Sequence, residues 1–282
     1  MKNHAQSIIV FVFILVSTLV NGQEFQGEAT YKTSRKMDFK IDKTSEKNGI
    51  DADMQKKMSE MIQKQFQKEY KLTFDTSESI YREEGKLAAP QPNSDGMQIM
   101  VMGNSESNML YKNMKEKRYT NQEDIFGKVF LIKDSLENKK WTLSTETKFI
   151  GQYQCFKATR TIEVDKIAFF SLNDGKEESK LTKEKVTVTA WYTPEIPVNA
   201  GPAMYWGLPG LILEVNDGSE TIICSKIILN PKNKITIKEP TKGKKVNQDK
   251  FKSIMEKKSK EMMDRYRGNA REGGQMTIQI GG

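Results

Sequence analysis

The ten-residue stretch WGLPGLILEV at Trp206–Val215 combines a strong turn signal with a strand signal. The ring of Pro209 fixes its backbone φ at about −65°, and Gly210 accepts a positive φ without steric cost. These two residues predict a type II turn over Leu208–Leu211, with proline at its second position and glycine at its third. The apolar residues that follow predict a strand over Leu211–Val215.

A hairpin is predicted immediately after this strand. Asn216–Ser219 is typical of a tight hairpin turn with Asp217 and Gly218 at its tip. That turn would pair Val215 with Glu220, Leu213 with Ile222 and Leu211 with Cys224. Residues two apart on a strand share a face, so this register gives the hairpin one core face. The residues on that face are Leu211, Leu213, Ile222 and Cys224.

The segment before the turn, residues 191–206, is rich in aromatic residues and proline. Residues that precede proline avoid the helical region, so we expect this segment to be extended and irregular. A long aromatic connection either packs as a structural corner or contacts a ligand, and the sequence leaves both readings open. The candidate ligand-binding residues are Trp191, Tyr192, Tyr205 and Trp206.

Two stretches of the chain resemble a known family. The six residues GLPGLI stand unbroken at Gly207–Ile212, and a second similar stretch lies at Ile150–Ala158. In these stretches the sequence resembles the GLPGLI family of exported bacterial proteins. The resemblance implies an exported protein of the cell envelope. It implies no reaction, because that family has no established activity.

Residues 1–22 have the pattern of a secretory signal peptide. Lys2 provides the positive start, and the apolar run Ile8–Val20 is shorter than the roughly 20 residues that span a bilayer. Permissive residues before Gln23 predict cleavage at that point. We therefore expect export to the periplasm or the outside of the cell, with no transmembrane span after signal removal.

The exported chain is predicted to form a single domain. No linker-like stretch divides residues 23–268, and their number suits one large domain. Residues 269–282 are rich in glycine and are expected to form a flexible tail.

The only histidine, His4, lies within the predicted signal peptide, so the exported chain would have none. Histidine is the usual general base near neutral pH and a common metal ligand. Its loss excludes Ser-His-Asp and Cys-His catalysis and His-ligated zinc sites. No nucleotide fingerprint is present, and no cofactor is predicted. An enzyme would have to use a thiol or carboxylates, of which Glu195 and Glu214 flank the turn.

Cys155 and Cys224 are the two cysteines of the chain. In an oxidising compartment an isolated pair can form a disulfide. The alternative is two buried, unreactive thiols on separate strands. Both readings stay open, because bridging depends on the distance between the two Cα atoms.

Three methionines, Met97, Met100 and Met102, lie close together in a loop-like stretch. Thioether sulfur can bind Cu(I), which makes this cluster the one copper candidate. No histidine or cysteine cluster accompanies it, so no metal is assigned.

Lysine is frequent in the C-terminal third of the chain. A basic stripe of this kind either contacts an anionic envelope surface or keeps a solvated sheet edge from aggregating. Nucleic acid is not expected as a partner, because export and the lack of interleaved aromatic residues argue against it. The lysines are Lys226, Lys232, Lys234, Lys238, Lys242, Lys244, Lys245 and Lys250.

Many short strand patterns, with one early and one late helical pattern, predict an α+β fold. The early helix is predicted over Asp51–Tyr70 and the late helix over Asp249–Arg267, each with apolar residues on one side. We expect a mainly antiparallel, curved β-sheet with these N-terminal and C-terminal amphipathic helices.

The sequence shows no catalytic residue set, which favours a non-catalytic envelope binding module. Its ligand would occupy an aromatic groove near the Gly207–Ile212 turn. A structural or interaction protein without a small ligand is the second reading, and an enzyme based on carboxylates or a thiol is the third.

Overall fold

The structure is a computed structural model. It describes residues 25–35, 67–85, 108–125, 127–137, 140–171 and 177–269. Several predicted features lie outside these ranges: the signal peptide, the early helix up to residue 66, the Met97, Met100 and Met102 cluster, and the tail from residue 270.

Twelve strands and one helix form the regular structure of the described residues. The helix, α1, spans Gln248–Asn269. The strands are β1 (Gln26–Arg35), β2 (Glu69–Asp75), β3 (Glu78–Glu83), β4 (Met109–Asn113), β5 (Arg118–Ile125), β6 (Lys128–Ser135), β7 (Thr142–Ile150), β8 (Tyr153–Ser171), β9 (Glu177–Thr193), β10 (Leu211–Asn216), β11 (Glu220–Leu229) and β12 (Lys244–Val246).

All twelve strands belong to one sheet, with the order β12-β6-β5-β4-β3-β2-β1-β11-β10-β9-β8-β7. Neighbours run antiparallel except β12 and β6, which are parallel, so the sheet is mixed. The predicted α+β class is therefore wrong, since one large sheet organises the described chain and a single helix packs on it. Tyr70, predicted to end the early helix, belongs to β2, where alternate residues Leu72 and Phe74 are buried.

Alternating side chains give the sheet its core face. In β1, Ala29 and Tyr31 are buried, whereas Lys32 is exposed. Leu72 and Phe74 of β2 join the same main core, which extends through most of the sheet. Full burial of each large apolar side chain contributes about 1.5–3 kcal/mol, so this face is the principal source of stability.

Helix α1 begins after a side-chain cap and packs on the main core. The Asn247 Oδ1 atom accepts a hydrogen bond from the Lys250 amide at 3.0 Å, as expected at a helix N-terminus. The Phe251 ring contacts the Phe130 ring edge-on, with 5.6 Å between the ring centroids. The late helix is thus confirmed over Gln248–Asn269, against the predicted Asp249–Arg267.

The β10–β11 hairpin has a longer turn than predicted. Val215 pairs with Ile222, so the predicted register is wrong by two residues. The reason is the side chain of Asp217, whose Oδ1 atom accepts hydrogen bonds from the amides of Ser219 and Glu220 and stabilises a four-residue turn. A two-residue shift keeps every side chain on its face. The predicted core face is accordingly confirmed: Leu211, Leu213, Ile222 and Cys224 all contribute to the main core.

The bend before β10 is tighter than the predicted type II turn. The Gly210 amide donates to the Leu208 carbonyl at 2.8 Å, which forms a three-residue γ-turn with Pro209 at its centre. Gly210 does not have a positive φ, whereas Gly207 does, at 89°. Glycine is needed at position 210 for a different reason: a Cβ there would lie 2.1 Å from the Thr193 carbonyl oxygen.

Candidate ligand-binding site

Residues 194–210, which we call the crossover loop, connect β9 to β10 and lie on the core. Ile196 and Ala200 are buried among the main core residues. Their carbonyls accept hydrogen bonds from the amides of Leu211 and Ile212, at 2.9 and 3.1 Å. The loop is therefore held both by apolar burial and by backbone hydrogen bonds.

The side chain of Lys112 anchors the middle of the crossover loop. Lys112 lies on β4, is fully buried, and points its ammonium group at three backbone carbonyls. Its Nζ atom donates to Gly201 at 2.7 Å, Ala203 at 2.6 Å and Tyr205 at 3.3 Å. Three donors thus meet three acceptors, and the backbone of the loop is fixed around one nitrogen.

Burial changes the acidity of this lysine. Loss of solvation lowers the pKa of Lys112 from its ordinary value of 10.5 to about 7. The folded chain therefore binds this proton less tightly than the unfolded chain does, which couples the stability of the fold to pH.

Two tryptophans fix the end of the crossover loop. Trp206 is buried in the main core, and its indole Nε1 donates to the Glu137 carbonyl at 3.2 Å. The Trp206 carbonyl in turn accepts a hydrogen bond from the Trp141 indole at 3.0 Å. The Trp141 ring, just before β7, is therefore held in one orientation by the loop.

Arg160 of β8 lies between two aromatic rings. Its Cζ atom is 4.5 Å from the centroid of the Trp141 ring and 5.0 Å from that of the Tyr205 ring. Both contacts are cation–π interactions of normal distance. We call these three residues the arginine clamp. Each is half-buried, so the group lies at the surface but is shielded from bulk water.

The guanidinium of the clamp has unused hydrogen-bonding capacity. Its Nε atom is buried and makes no hydrogen bond within the described part of the chain. Burial lowers the pKa of Arg160, and no described carboxylate contributes to that shift. Burial also raises the pKa of Tyr205 to about 12, so its phenol is neutral at physiological pH. The clamp is therefore a positive group without an anionic partner among the described residues.

A guanidinium held in this way can bind an oxyanion. Its N–H groups form a planar fork whose geometry matches that of a carboxylate or a phosphate. The arrangement of the described residues supplies a positive charge and hydrogen-bond donors.

The four predicted aromatic residues are divided between two sides of the sheet. Tyr205 belongs to the clamp, and Trp206 orients the clamp through its carbonyl. Tyr192 is buried in a second, smaller core on the clamp side. Trp191 packs on the main core, on the other side, where the Lys148 ammonium lies 4.5 Å from its ring centroid.

The two cysteines are free thiols in this structure. Cys155 is buried, and burial is the main cause that raises its thiol pKa to about 11. Burial raises the pKa of Cys224 to about 12, and the charge of a Cys155 thiolate would add to the effect. Neither thiol is activated as a nucleophile. Their pairing under oxidation stays a prediction.

The two candidate carboxylates have separate partners. The Glu214 carboxylate forms an ion pair with Lys148 at 2.7 Å. The Glu195 side chain is exposed and accepts a hydrogen bond from the Gln154 amide at 2.9 Å. Each carboxylate thus contacts a partner within the local structure.

The remaining candidate groups are metal ligands and surface lysines. These ranges bring together no group of three or more His, Cys, Asp or Glu side chains that could hold a metal. All eight lysines singled out in the C-terminal third are exposed, and Lys244 and Lys245 lie on the edge strand β12.

Three residues of the site were missed by sequence reasoning. Arg160 is in phase with Ala158 and Ile162, and Lys112 is in phase with Leu110, so both cations occupy positions of a buried face. That phase was the available signal. Trp141 lies before β7 and carried no comparable pattern.

One family model matches part of the chain. Residues 141–214 match the model of a family described as "Protein of unknown function (Porph_ging)". This range contains all three clamp residues and the Leu208–Gly210 turn. No curated protein matches the chain.

Solved structures offer a distant likeness. Two structures of PNGF-II, in the C2 and P21 space groups, cover 82% of this chain at 13% identity, with TM-scores of 0.44 and 0.45. This chain spans only 32% and 33% of their length. A likeness at this level carries no inference about the site.

Among the helical residues that the structure describes, no segment has the length and hydrophobicity of a membrane span.

Proposed function

We propose that this protein is an exported envelope protein of the GLPGLI type that binds an anionic ligand without changing it chemically. The ligand's carboxylate or phosphate would contact the edge of the arginine clamp, beside the Gly207–Ile212 turn. The observation that carries the proposal is the buried Nε of Arg160, which has no hydrogen-bond partner among the described residues.

An unsatisfied buried donor costs free energy that a ligand would restore. Leaving one such group unpaired costs about 1–3 kcal/mol, and a hydrogen bond between charged groups is about twice as strong as a neutral one. A bound oxyanion would satisfy the donor and neutralise the charge together. Stacking on Trp141 and Tyr205 would keep the fork oriented for it.

The clamp is already organised for binding. The Trp141 indole is tied to the Trp206 carbonyl, and the Tyr205 backbone is tied to Lys112. A ligand therefore would not have to order these groups, which lowers the entropic cost of association.

The surrounding chemistry supports binding over catalysis. The buried Cys155 thiol has a raised pKa, and Glu214 is held by Lys148. Catalysis by nucleophile or by acid and base needs activated groups next to the bound substrate. The residues around Arg160 supply aromatic and apolar surface instead.

Native mass spectrometry of the protein purified from its own cell envelope tests this function. We expect an anionic adduct on the wild type and on the matched control Lys226→Met, which removes an exposed positive charge from β11. Arg160→Lys should retain part of the adduct, because it keeps the charge but loses the fork. Arg160→Met should lose it. An adduct on Arg160→Met at the wild-type level would contradict the proposal, and so would a wild type without any adduct.

Export is tested separately on the same material. We expect the envelope fraction to contain a chain that begins at Gln23, and the intact mass of the protein would show it. A chain that keeps residues 1–22 or stays in the cytoplasm would contradict the export step while leaving the clamp untouched.

A structural or interaction role is the second candidate. The burial of Trp206 and Tyr192 favours it, because these aromatic residues serve the two cores. The peripheral lysines would then contact an anionic envelope surface. An adduct-free wild type that sediments with anionic vesicles would favour this role.

A further inference from the structure

Strand β7 forms one end of the sheet. It pairs with β8 on one side. On its other side, no strand pairs with it among the described residues. An edge of this kind presents unpaired backbone donors and acceptors to any strand that approaches.

The two ends of the sheet are built differently. Strand β12, at the opposite end, has three residues, of which Lys244 and Lys245 are exposed. Short length and lysine are common ways to prevent strand addition. Strand β7 has nine residues, and Leu143 and Phe149 on it are 54% and 72% exposed. Its register against β8 is irregular between Leu143 and Thr147 and regular from Thr147 to Ile150.

We propose that β7 is a homodimer interface, on which β7 of a second copy of this chain pairs antiparallel with Thr147 at the two-fold axis. In that register each residue lies opposite the one equally far on the other side of Thr147. Glu146 then faces Lys148 of the second copy, and Lys148 faces its Glu146. These two ion pairs are equivalent by symmetry.

The charged residues of β7 favour this register over the two adjacent registers, in which the two-fold axis would lie at Glu146 or at Lys148. With the axis perpendicular to the sheet, opposite residues share a face, so the centre can move only by whole residues. A centre at Glu146 would place two glutamates opposite each other, and a centre at Lys148 would place two lysines opposite each other. Like charges directly opposite destabilise a strand pair, whereas unlike charges stabilise it.

Both faces of the strand fit the second copy. On the main-core side, Glu146 bonds to Lys157 at 3.0 Å and Lys148 to Glu214 at 2.7 Å. The dimer would join these pairs into an alternating chain of four charges across the axis. Phe149, whose cross-strand neighbour is Gln154, lies on the other face. There it would pack beside Thr145 and Thr147 of the second copy, which would reduce its exposure.

Cysteine cross-linking tests the register. Thr147→Cys places two thiols directly opposite at the axis, where Cβ atoms are about 4.5–5.5 Å apart, close to disulfide distance. Thr145→Cys is the matched control, because its two copies would lie four residues apart along the strand, roughly 13 Å. Under mild oxidation, we expect most of Thr147→Cys to run as a covalent dimer on a non-reducing gel. Thr145→Cys and the wild type should stay uncross-linked.

Light scattering of the full exported chain tests whether the ion pairs between Glu146 and Lys148 stabilise the dimer. The wild type should be dimeric at micromolar concentration, and Glu146→Lys should weaken the dimer by about tenfold, because like charges then meet at the axis. The double variant Glu146→Lys, Lys148→Glu should dimerise more tightly than Glu146→Lys, because unlike charges again face each other across the axis, but less tightly than the wild type, because Lys157 and Glu214 then lie beside like charges. A monomeric wild type would overturn the proposal. So would a dimer in which Thr147→Cys does not cross-link, or cross-links no better than Thr145→Cys. None of these variants touches Arg160, so this outcome is independent of the ligand-binding test.

Discussion

Two cations at the crossover loop, Lys112 and Arg160, differ in how their donors are used. Neither is paired with a described carboxylate in the structure. Lys112 is fully buried and satisfied by three carbonyls. Arg160 is half-buried between two rings, with a buried nitrogen that has no partner in the described chain. The loop separates them: its backbone binds the lysine and a tyrosine side chain stacks on the arginine.

The difference distinguishes a structural cation, Lys112, from Arg160, the cation to which we assign ligand binding as a proposal. A buried polar group whose hydrogen bonds are complete stabilises the fold, and its removal leaves orphaned partners. A buried donor without a partner destabilises the fold by its lost hydration, and a hydrogen bond to another molecule would offset that cost. The two residues should accordingly respond to substitution in opposite ways.

Replacing the structural cation should give the largest effect. Lys112→Met would leave the carbonyls of Gly201, Ala203 and Tyr205 without their donor. We expect the free energy of unfolding to fall by about 4 kcal/mol, since each orphaned buried acceptor costs about 1–3 kcal/mol. Denaturant unfolding measures it. The exposed Lys32→Met of β1 is the control and should change stability by less than about 0.5 kcal/mol. If Lys112→Met and Lys32→Met are equally stable, Lys112 is not a structural cation.

Disturbing the bend that carries the loop into β10 should have a somewhat smaller effect. In Gly210→Ala, the new Cβ would collide with the Thr193 carbonyl, 2.1 Å away. We expect a loss of about 3 kcal/mol, because the contact is with backbone and cannot relax by side-chain rotation. Pro209→Ala keeps the bend accessible and should cost about 1 kcal/mol or less. Thermal melting compares the two variants. If they are equally stable, the short distance between position 210 and the Thr193 carbonyl is not the reason that glycine is needed there.

Raising the pH should increase the contribution of Lys112 to the free energy of unfolding. The unfolded chain keeps this proton up to a pKa near 10.5, whereas the folded chain releases it near 7. Between these values the unfolded state binds more protons, so the lysine's contribution to stability rises with pH and is constant below about pH 7. We expect the stability difference between wild type and Lys112→Met to grow by about 2 kcal/mol from pH 7 to pH 9. A difference that shrinks over this range would show that the folded state holds the proton more tightly.

Replacing Arg160, the proposed ligand-binding cation, should affect the stability of the fold least. Arg160→Met keeps an apolar side chain between Trp141 and Tyr205 and removes a desolvated charge, a change that is often neutral or stabilising. We expect a change of less than about 1 kcal/mol in the free energy of unfolding, together with loss of the anionic adduct. A loss as large as that of Lys112→Met would reassign Arg160 to the structural class.

The local structure of the sheet could largely be predicted from side-chain phase. The apolar run Leu211–Val215 correctly indicated strand β10, and the late helix was indicated by its apolar spacing. The β10–β11 register was missed because one side chain, Asp217, caps a longer turn than its neighbours suggest. The fold class was missed because strand patterns do not reveal that all twelve strands join one sheet.

The site was predictable only in part. Tyr205 was among the candidate residues because aromatic residues cluster before the turn. Arg160 and Lys112 were not, since a single cation within a strand pattern usually faces water. The crossover loop contributes the three carbonyls that bind Lys112 and the Tyr205 ring that stacks on Arg160, and pairing at this sequence distance follows from the tertiary fold.

The pairing of β1 with β11 determines when the sheet can be completed. Ala29 lies opposite Ile227, so the first described strand cannot close on this neighbour until nearly all of the chain is present. Contacts so distant in sequence slow folding. If the chain is exported as we propose, its leading strand would stay half-paired throughout passage through the translocation channel, and the final shape would form only on the far side.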